Sequence, residues 1–343
     1  MVCSPLNYHG LHAYSPLSRG SGPDMWTDRL RRIVLRSSNL TQLYLRIQKT
    51  VLKRFQARLI RHLGRRVAFG WGKVSFQLDL TSLHDVMMYR ALISGGYEPG
   101  VASVIQQVLS PGGTFVDGGA NCGLFTVLAL AVVGETGHLY AFEPNPTAYV
   151  RLEANLLLNG LTPSTVAKRL AIGEQPGSAF LRDSLLEDGR SSVIGYSGSG
   201  IKWDRVEVVT LDDVLGASQV DLVKLDVEGA ELSALRGMRG VLENNPAAVL
   251  IVEWNPTYAT NELWTFLTSR FMVFTIPDAL HDNLRRAHTI DDVKHRLCNL
   301  LCVPASLLRS GTDSLPLDLL RKSLLYPGQE IGELRLSTPL RHS

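Results

Sequence analysis

The chain has 343 residues, 45% of them hydrophobic and 20% charged, with a formal net charge of +3. That length accommodates one large α/β domain with appendages, and that balance excludes a wholly disordered or collagen-like chain. No apolar run reaches the ~18 residues of a bilayer span and the N-terminus lacks a basic-then-apolar leader, so no transmembrane segment and a cytoplasmic location are expected.

The four cysteines, Cys3, Cys122, Cys298 and Cys302, are scattered, which reads as reduced thiols rather than a disulfide framework. The small net charge hides an asymmetry. Residues 1–66 carry thirteen Lys and Arg against two Asp, leaving twenty-two basic and thirty acidic residues for 67–343. Residues 1–25 are rich in Ser, Gly, Pro and Tyr and read as a disordered segment. Residues 26–66 read as a basic amphipathic helical arm, with Leu40, Leu43, Ile47, Val51, Phe55 and Leu59 at spacings of three and four. Such a helix suits self-association or docking on a surface.

A hairpin is expected over 67–80 and helices over 82–93 and 101–109. The organising stretch follows. An apolar run, Thr114-Phe115-Val116, ends in Asp117; a glycine-rich turn carries Gly119, Asn121 and Gly123; an apolar segment runs from Leu124 to Val133; and a second apolar run, His138 to Phe142, ends in Glu143. This reads as strand, turn, helix, strand, with the turn at the carboxyl edge of a parallel sheet. Gly119 and Gly123 lack a β-carbon, which permits a ligand or a helix to approach closely. Glu143, at the tip of the second strand, can accept both hydroxyls of a ribose. The spacing is acid-x-Gly-x-x-x-Gly, which lacks the second glycine of a dinucleotide-binding turn. The acid in the turn repels a pyrophosphate and suits the amino group and sulfonium of S-adenosylmethionine.

Four blocks in order, Asp117-Gly-Gly-Ala-Asn-Cys-Gly123, Ala141-Phe-Glu-Pro-Asn-Pro146, Leu211-Asp-Asp213 and Lys224-Leu-Asp-Val-Glu-Gly-Ala-Glu231, resemble the FkbM family of S-adenosylmethionine-dependent methyltransferases. The likeness covers about residues 79–303 and is densest over 113–254. It implies a class I methyltransferase fold, Rossmann-like, with a seven-stranded, mostly parallel sheet and helices on both faces. It also implies a methyltransferase domain over 67–303, with its core at 112–254, and a C-terminal tail over 304–343. The cofactor set it implies is Asp117, Gly119, Asn121, Gly123, Glu143 and Asn145, with Asn145 a second ribose contact or the N-cap of the next helix. In that pattern the segment before the core closes over the active site, which makes His84 and Asp85 candidate substrate contacts.

A third strand is expected over 165–172, further strands over 177–183 and 203–211, and between them a Gly- and Ser-rich loop in which Arg190 would face a substrate. The stretch 221–229, DLVKLDVEG, reads as a central fourth strand in which Lys224, Asp226 and Glu228 alternate with apolar residues. Buried charges must pair or sit at the open edge where ligands bind. Asp226 and Glu228 are therefore candidates for the methyl-transfer site, taking the acceptor's proton directly or through a divalent metal, with Lys224 tuning Asp226. The alternative is an internal Lys224–Asp226 bridge with Glu228 capping the next helix. A fifth strand over 248–254 brings Glu253 as a third carboxylate for substrate or metal. Last strands are expected over 271–276 and 297–303.

The expected reaction is methyl transfer to a hydroxyl of a sugar, polyketide, peptide or other small metabolite, with a glycan or small molecule as partner. Two rivals remain: a catalytically silent S-adenosylmethionine-binding scaffold, and an RNA methyltransferase gripping phosphates with the basic arm. The arm lacks aromatic residues interleaved for stacking on bases, so nucleic acid is the less expected partner.

Overall fold

A computed structural model describes residues 53–71, 74–94, 96–160, 162–182, 203–278, 282–308 and 314–316. The expected disordered segment 1–25, most of the basic arm, Arg190 with its loop, and nearly all of the tail lie outside the described residues. The chain divides into two units, Met1–Arg58 and Leu59–Ser343. Of the first, the described residues 53–58 are helical; the second carries the sheets and the cavity.

The second unit begins with a hairpin, β1 (Arg66–Trp71) against β2 (Val74–Asp79), and two helices, α1 (Leu83–Ile93) and α2 (Pro99–Val108). Ser82 caps α1 by accepting the Asp85 N–H. The core then alternates β3 (Thr114–Gly118), α3 (Leu124–Val133), β4 (His138–Phe142), α4 (Pro146–Leu158) and β5 (Thr165–Lys168). A lobe follows from β6 (Ala171–Ile172), β7 (Gly177–Arg182) and β8 (Trp203–Val209). The chain returns through α5 (Leu211–Leu215), β9 (Leu222–Leu225), α6 (Glu231–Arg236), α7 (Arg239–Asn244), β10 (Val249–Trp254), α8 (Asn261–Thr268) and β11 (Phe271–Thr275). It ends with β12 (Asn283–Arg286), β13 (Cys298–Pro304) and β14 (Ser314–Pro316).

The main sheet has the order β14-β12-β11-β13-β10-β9-β3-β4-β5. Strands β10, β9, β3, β4 and β5 are mutually parallel, and β13 runs antiparallel between β10 and β11. The sheet is thus mostly parallel with helices on both faces, as expected, and β13 interrupts the parallel run. The sheet has nine strands rather than seven, because β12 and β14 extend it past β11. The single third strand expected over 165–172 is broken at Arg169-Leu170, and Ala171-Ile172 pairs with β8 in a separate three-stranded sheet. The expected fourth strand also stops early, at Leu225.

Strand alternation builds two cores. Phe115, Leu222, Val249, Ile251 and Met272 point to one face, against α2 and α3. Val116, Val223, Leu250, Val252 and Val273 point to the other, against α5, α6, α7 and α8. Lys224 and Asp117, register partners across β9 and β3, fall on the α3 face by this alternation. The hairpin is pinned to the core by Asn155 of α4. Its amide accepts the Gln77 N–H at 2.7 Å and donates to the Gln77 and Cys122 carbonyls at 3.2 and 2.8 Å.

Asn155 is fully buried, so Asn155→Ala leaves buried backbone groups without partners, each at a cost of about 1–3 kcal/mol. Urea unfolding of the variant should show a loss of at least that size; an unchanged midpoint would mean that packing and the bonds of Asn159 to Ser75 and of Asp85 to Asp79 hold the hairpin without Asn155.

Candidate active site

One cavity of about 350 Å³ opens at the carboxyl ends of β3, β4, β9 and β10, where open α/β sheets bind ligands. That volume is at the lower end of the ~300–1,000 Å³ of small-molecule sites. Among the described residues three non-glycine residues have left-handed backbone: Glu98 (φ 44°), Asn121 (φ 49°) and Glu228 (φ 50°). All three line this cavity. Such conformations cost on the order of 1–3 kcal/mol each and persist where the surroundings over-determine them.

At one end lies Glu143, buried just past β4. Its two oxygens accept the backbone N–H groups of Asn121 and Asn145, each at 2.8 Å. Burial outweighs these bonds and the nearby Arg151, and pushes its pKa up to about 7. Asn145 caps α4, accepting from the Thr147 and Ala148 N–H groups at 2.9 and 3.1 Å. Ile172, Pro144 and Ala148 add apolar wall around this carboxylate.

At the other end lie Glu98, Lys224, Asp226, Glu228 and Glu253. Lys224 is buried, its Nζ 2.9 Å from Asp226 Oδ2 and 5.3 Å from the Phe125 ring centroid. Burial opposes its charge, but Asp226, Asp117 and Glu98 together push its pKa up. The Asp226 side chain stays 27% exposed. Asp226, Glu228 and Glu253 each place one oxygen within 4.8 Å of the others. As donors, three carboxylate oxygens suit a hard divalent cation. Burial, then the carboxylates of Asp226, Glu228 and Glu231, push Glu253 up to about 9, and its Oε2 is buried without a hydrogen-bond partner.

The structure thus brings together Gly119, Asn121, Glu143, Asn145, Lys224, Asp226, Glu228, Glu253 and His84 of the expected residues. It corrects others. Asp117 does not line the cavity; its carboxyl is buried, accepts Thr126 Oγ1 at 2.6 Å and leaves Oδ1 unpartnered. Burial raises its pKa against the pull of Lys224 and Thr126. Asp117 therefore helps hold Lys224 rather than lining the ligand space. Gly123 is also set back, and a β-carbon there would meet Leu152 at 2.6 Å. At Gly119 a β-carbon would meet the Asp226 carbonyl at 1.8 Å, so both glycines serve chain packing before ligand approach. Asp85 is fully buried and bonds to the Asp79 N–H at 2.8 Å and to Arg151. It ties α1 to α4 and does not line the cavity. The expected Lys224–Asp226 bridge is present, but Glu228 does not cap the next helix. That helix has no side-chain cap bond; the Glu231 side chain instead braces the turn before it, accepting the Val227 and Gly229 N–H groups at 3.2 and 3.1 Å. With the strand ended at Leu225, Glu228 reaches the cavity from a left-handed turn, not from strand alternation.

Sequence reasoning missed Glu98 and Asn299. Asn299 Nδ2 donates to Glu98 Oε2 at 3.1 Å. The signal available was Glu98-Pro99-Gly100, a helix start whose first residue is a poor capping type. Its carboxylate makes no cap bond.

The residues present fit the S-adenosylmethionine that the sequence resemblance implies. A buried carboxylate already fixed by two backbone donors matches a ribose diol, an apolar wall flanks it, and the acidic end offers no repulsion to a sulfonium.

Comparisons with known proteins agree. Residues 117–276 match the family model described as Methyltransferase FkbM domain. The chain is 29% identical to "Methyltransferase sdnD" of Sordaria araneosa over 174 residues, covering 41% of this chain and 66% of that protein. It is 26% identical to "Hexuronic acid methyltransferase AglP" of Haloferax volcanii over 132 residues, covering 37% of this chain and 51% of that protein. The match thus spans less than two thirds of the length of either relative. A solved structure, "Methyltransferase FkbM from Methylobacillus flagellatus KT", aligns with a TM-score of 0.38 at 18% identity, covering 57% of this chain and 44% of that one. Residues 117–276 of this chain are thus similar to the methyltransferase FkbM domain.

Proposed function

We propose that the chain transfers the methyl group of S-adenosylmethionine to a hydroxyl of a small acceptor such as a sugar. The observation that carries this reading is the division of one cavity into two chemistries: a ribose-matching carboxylate at Glu143, and a cluster of carboxylates around Asp226. When bound, the cofactor supplies an electrophilic methyl on a sulfonium. Glu143 and the Asn121 turn hold its ribose end. Asp226 receives the acceptor's hydroxyl proton. It is bonded to a buried ammonium, Lys224, which fixes its position. Glu253, whose carboxyl burial and the neighbouring carboxylates push up, lines the acceptor end beside Asp226. Glu228 closes the rim.

Transfer from radiolabelled S-adenosylmethionine to a panel of sugars and polyols tests the reading. Asp226→Asn should bind S-adenosylhomocysteine as the wild type does and lose transfer by about 10²–10⁴-fold, the usual contribution of general base catalysis. Full activity in the variant would remove Asp226 from the reaction.

The Glu143 shift gives a pH dependence. Ribose hydroxyls donate to the carboxylate, so binding favours the ionised form. Below about pH 7 the carboxyl takes up a proton, and affinity for S-adenosylhomocysteine should fall by up to about tenfold per unit. Calorimetric titration between pH 5.5 and 8 should show an inflection near 7 in the wild type and a weaker, flat profile in Glu143→Gln. An identical slope in both proteins would place the titrating group elsewhere.

A further inference from the structure

Asn121 holds one oxygen of Glu143 through its backbone N–H, and it does so from a left-handed conformation. A side chain of α4 reaches this turn from behind. Arg151 Nη2 approaches Asn121 Oδ1 at 3.5 Å, and Arg151 Nη1 is bonded to Asp85 Oδ1 of α1. Asp85 is fully buried and the Arg151 side chain is 18% exposed, so this charge pair is largely out of water. Arg151 itself does not line the cavity.

The other arm of the guanidinium leads to the opposite wall. Asp85 follows His84, which lines the cavity. His84 Nδ1 lies 3.6 Å from the same Asp85 Oδ1, and its Nε2 lies 3.4 Å from the hydroxyl of Tyr97, another lining residue. His84, Asp85 and Tyr97 precede the residues that match the family model, whereas Asn121, Glu143 and Arg151 fall within them. One guanidinium thus joins the cofactor turn to the wall supplied by the preceding segment. Its donors diverge in a rigid planar fork, which suits a two-sided hold that a compact ammonium does not reproduce.

The same guanidinium acts on Glu143 through its charge. Around that carboxyl stand the Asn121 and Asn145 N–H groups, Arg151 of α4, Asp117 of β3 and the Cys122 thiol. From β5 the Lys168 carbonyl accepts the Glu143 backbone N–H at 3.1 Å. Burial and Asp117 favour the protonated carboxyl, and Arg151 favours the ionised one.

Resting on the methyl-transfer reading, we propose that Arg151 is a positioning residue for the reaction. From outside the cavity it holds the Asn121 turn, and with it the Glu143 ribose anchor, in register with the His84 wall.

The test uses the full chain and two readouts: calorimetric titration with S-adenosylhomocysteine, and carbon-13 NMR of the Glu143 carboxyl in the ligand-free protein. Arg151→Met removes the charge and the fork. It should raise the Glu143 midpoint from about 7 by about one pH unit or more, as withdrawal of a nearby opposite charge does. At pH 7 the ionised fraction then falls from about a half to about a tenth, and affinity falls with it by about fivefold. Arg151→Lys keeps the charge and loses the fork. Its Glu143 midpoint should stay near 7, while its affinity at pH 8.5, where Glu143 is ionised, should fall by at least about threefold. Should Arg151→Met fail to fold, Arg151→Lys decides. Unchanged affinity at pH 8.5 in Arg151→Lys, or an unmoved Glu143 midpoint in Arg151→Met, would overturn the proposal. So would variants that lose thermal stability alone, which would make Arg151 no more than a tie between α1 and α4. Failure of folded wild type to bind S-adenosylhomocysteine, with the Glu143 midpoint raised in Arg151→Met, would sink the methyl-transfer reading and leave the hold on Glu143 standing.

Discussion

The site depends on one buried ammonium. Lys224 stands on a central strand that is otherwise apolar, opposite Asp117 and two residues before Asp226. Taking such a charge out of water costs several kcal/mol unless it is paired and bonded. Asp117 on the neighbouring strand and Asp226 at the strand end supply that pairing, and Phe125 covers the remaining side. The same ammonium is what allows Asp226 to stand among Glu98, Glu228 and Glu253 without a counter-ion from solvent. Removing Lys224 would take that ammonium away from Asp226, with Glu98, Glu228 and Glu253 lining the same cavity.

Backbone geometry does the rest. Gly119 lets β3 and the end of β9 approach to where no side chain fits, which brings the Asn121 turn beside the Asp226 turn. Three residues held left-handed, at Glu98, Asn121 and Glu228, each turn a polar group toward the same space. The strain is concentrated where ligand chemistry would use it, and the two cores on either face of the sheet supply the rigidity that maintains it.

Much of this was legible in the sequence. The run from Asp117 to Glu143 announced a parallel βαβ unit because glycine spacing, apolar period and terminal acids all agreed. Lys224 and Asp226 stood out because charges in an apolar central strand require a reason. What was not legible depended on contacts between distant segments. Asp117 read as a ligand to the cofactor, but Thr126 and Lys224 claim it. Asp85 read as a candidate substrate contact, but Arg151 claims it from α4. Glu98 and Asn299 are 201 positions apart, and nothing local in either stretch marks them as partners. Glu228 was placed in the cavity by an argument from strand alternation that fails, since the strand ends three residues earlier; a left-handed turn brings it there instead.

The most direct test of the account is equilibrium binding of S-adenosylhomocysteine to the wild type and to Glu143→Ala at pH 8. The account predicts one site per chain, with affinity at least tenfold weaker in the variant, because the carboxylate held by Asn121 and Asn145 is the ribose anchor. Equal affinity in the two proteins, or no binding to folded wild type, would contradict it.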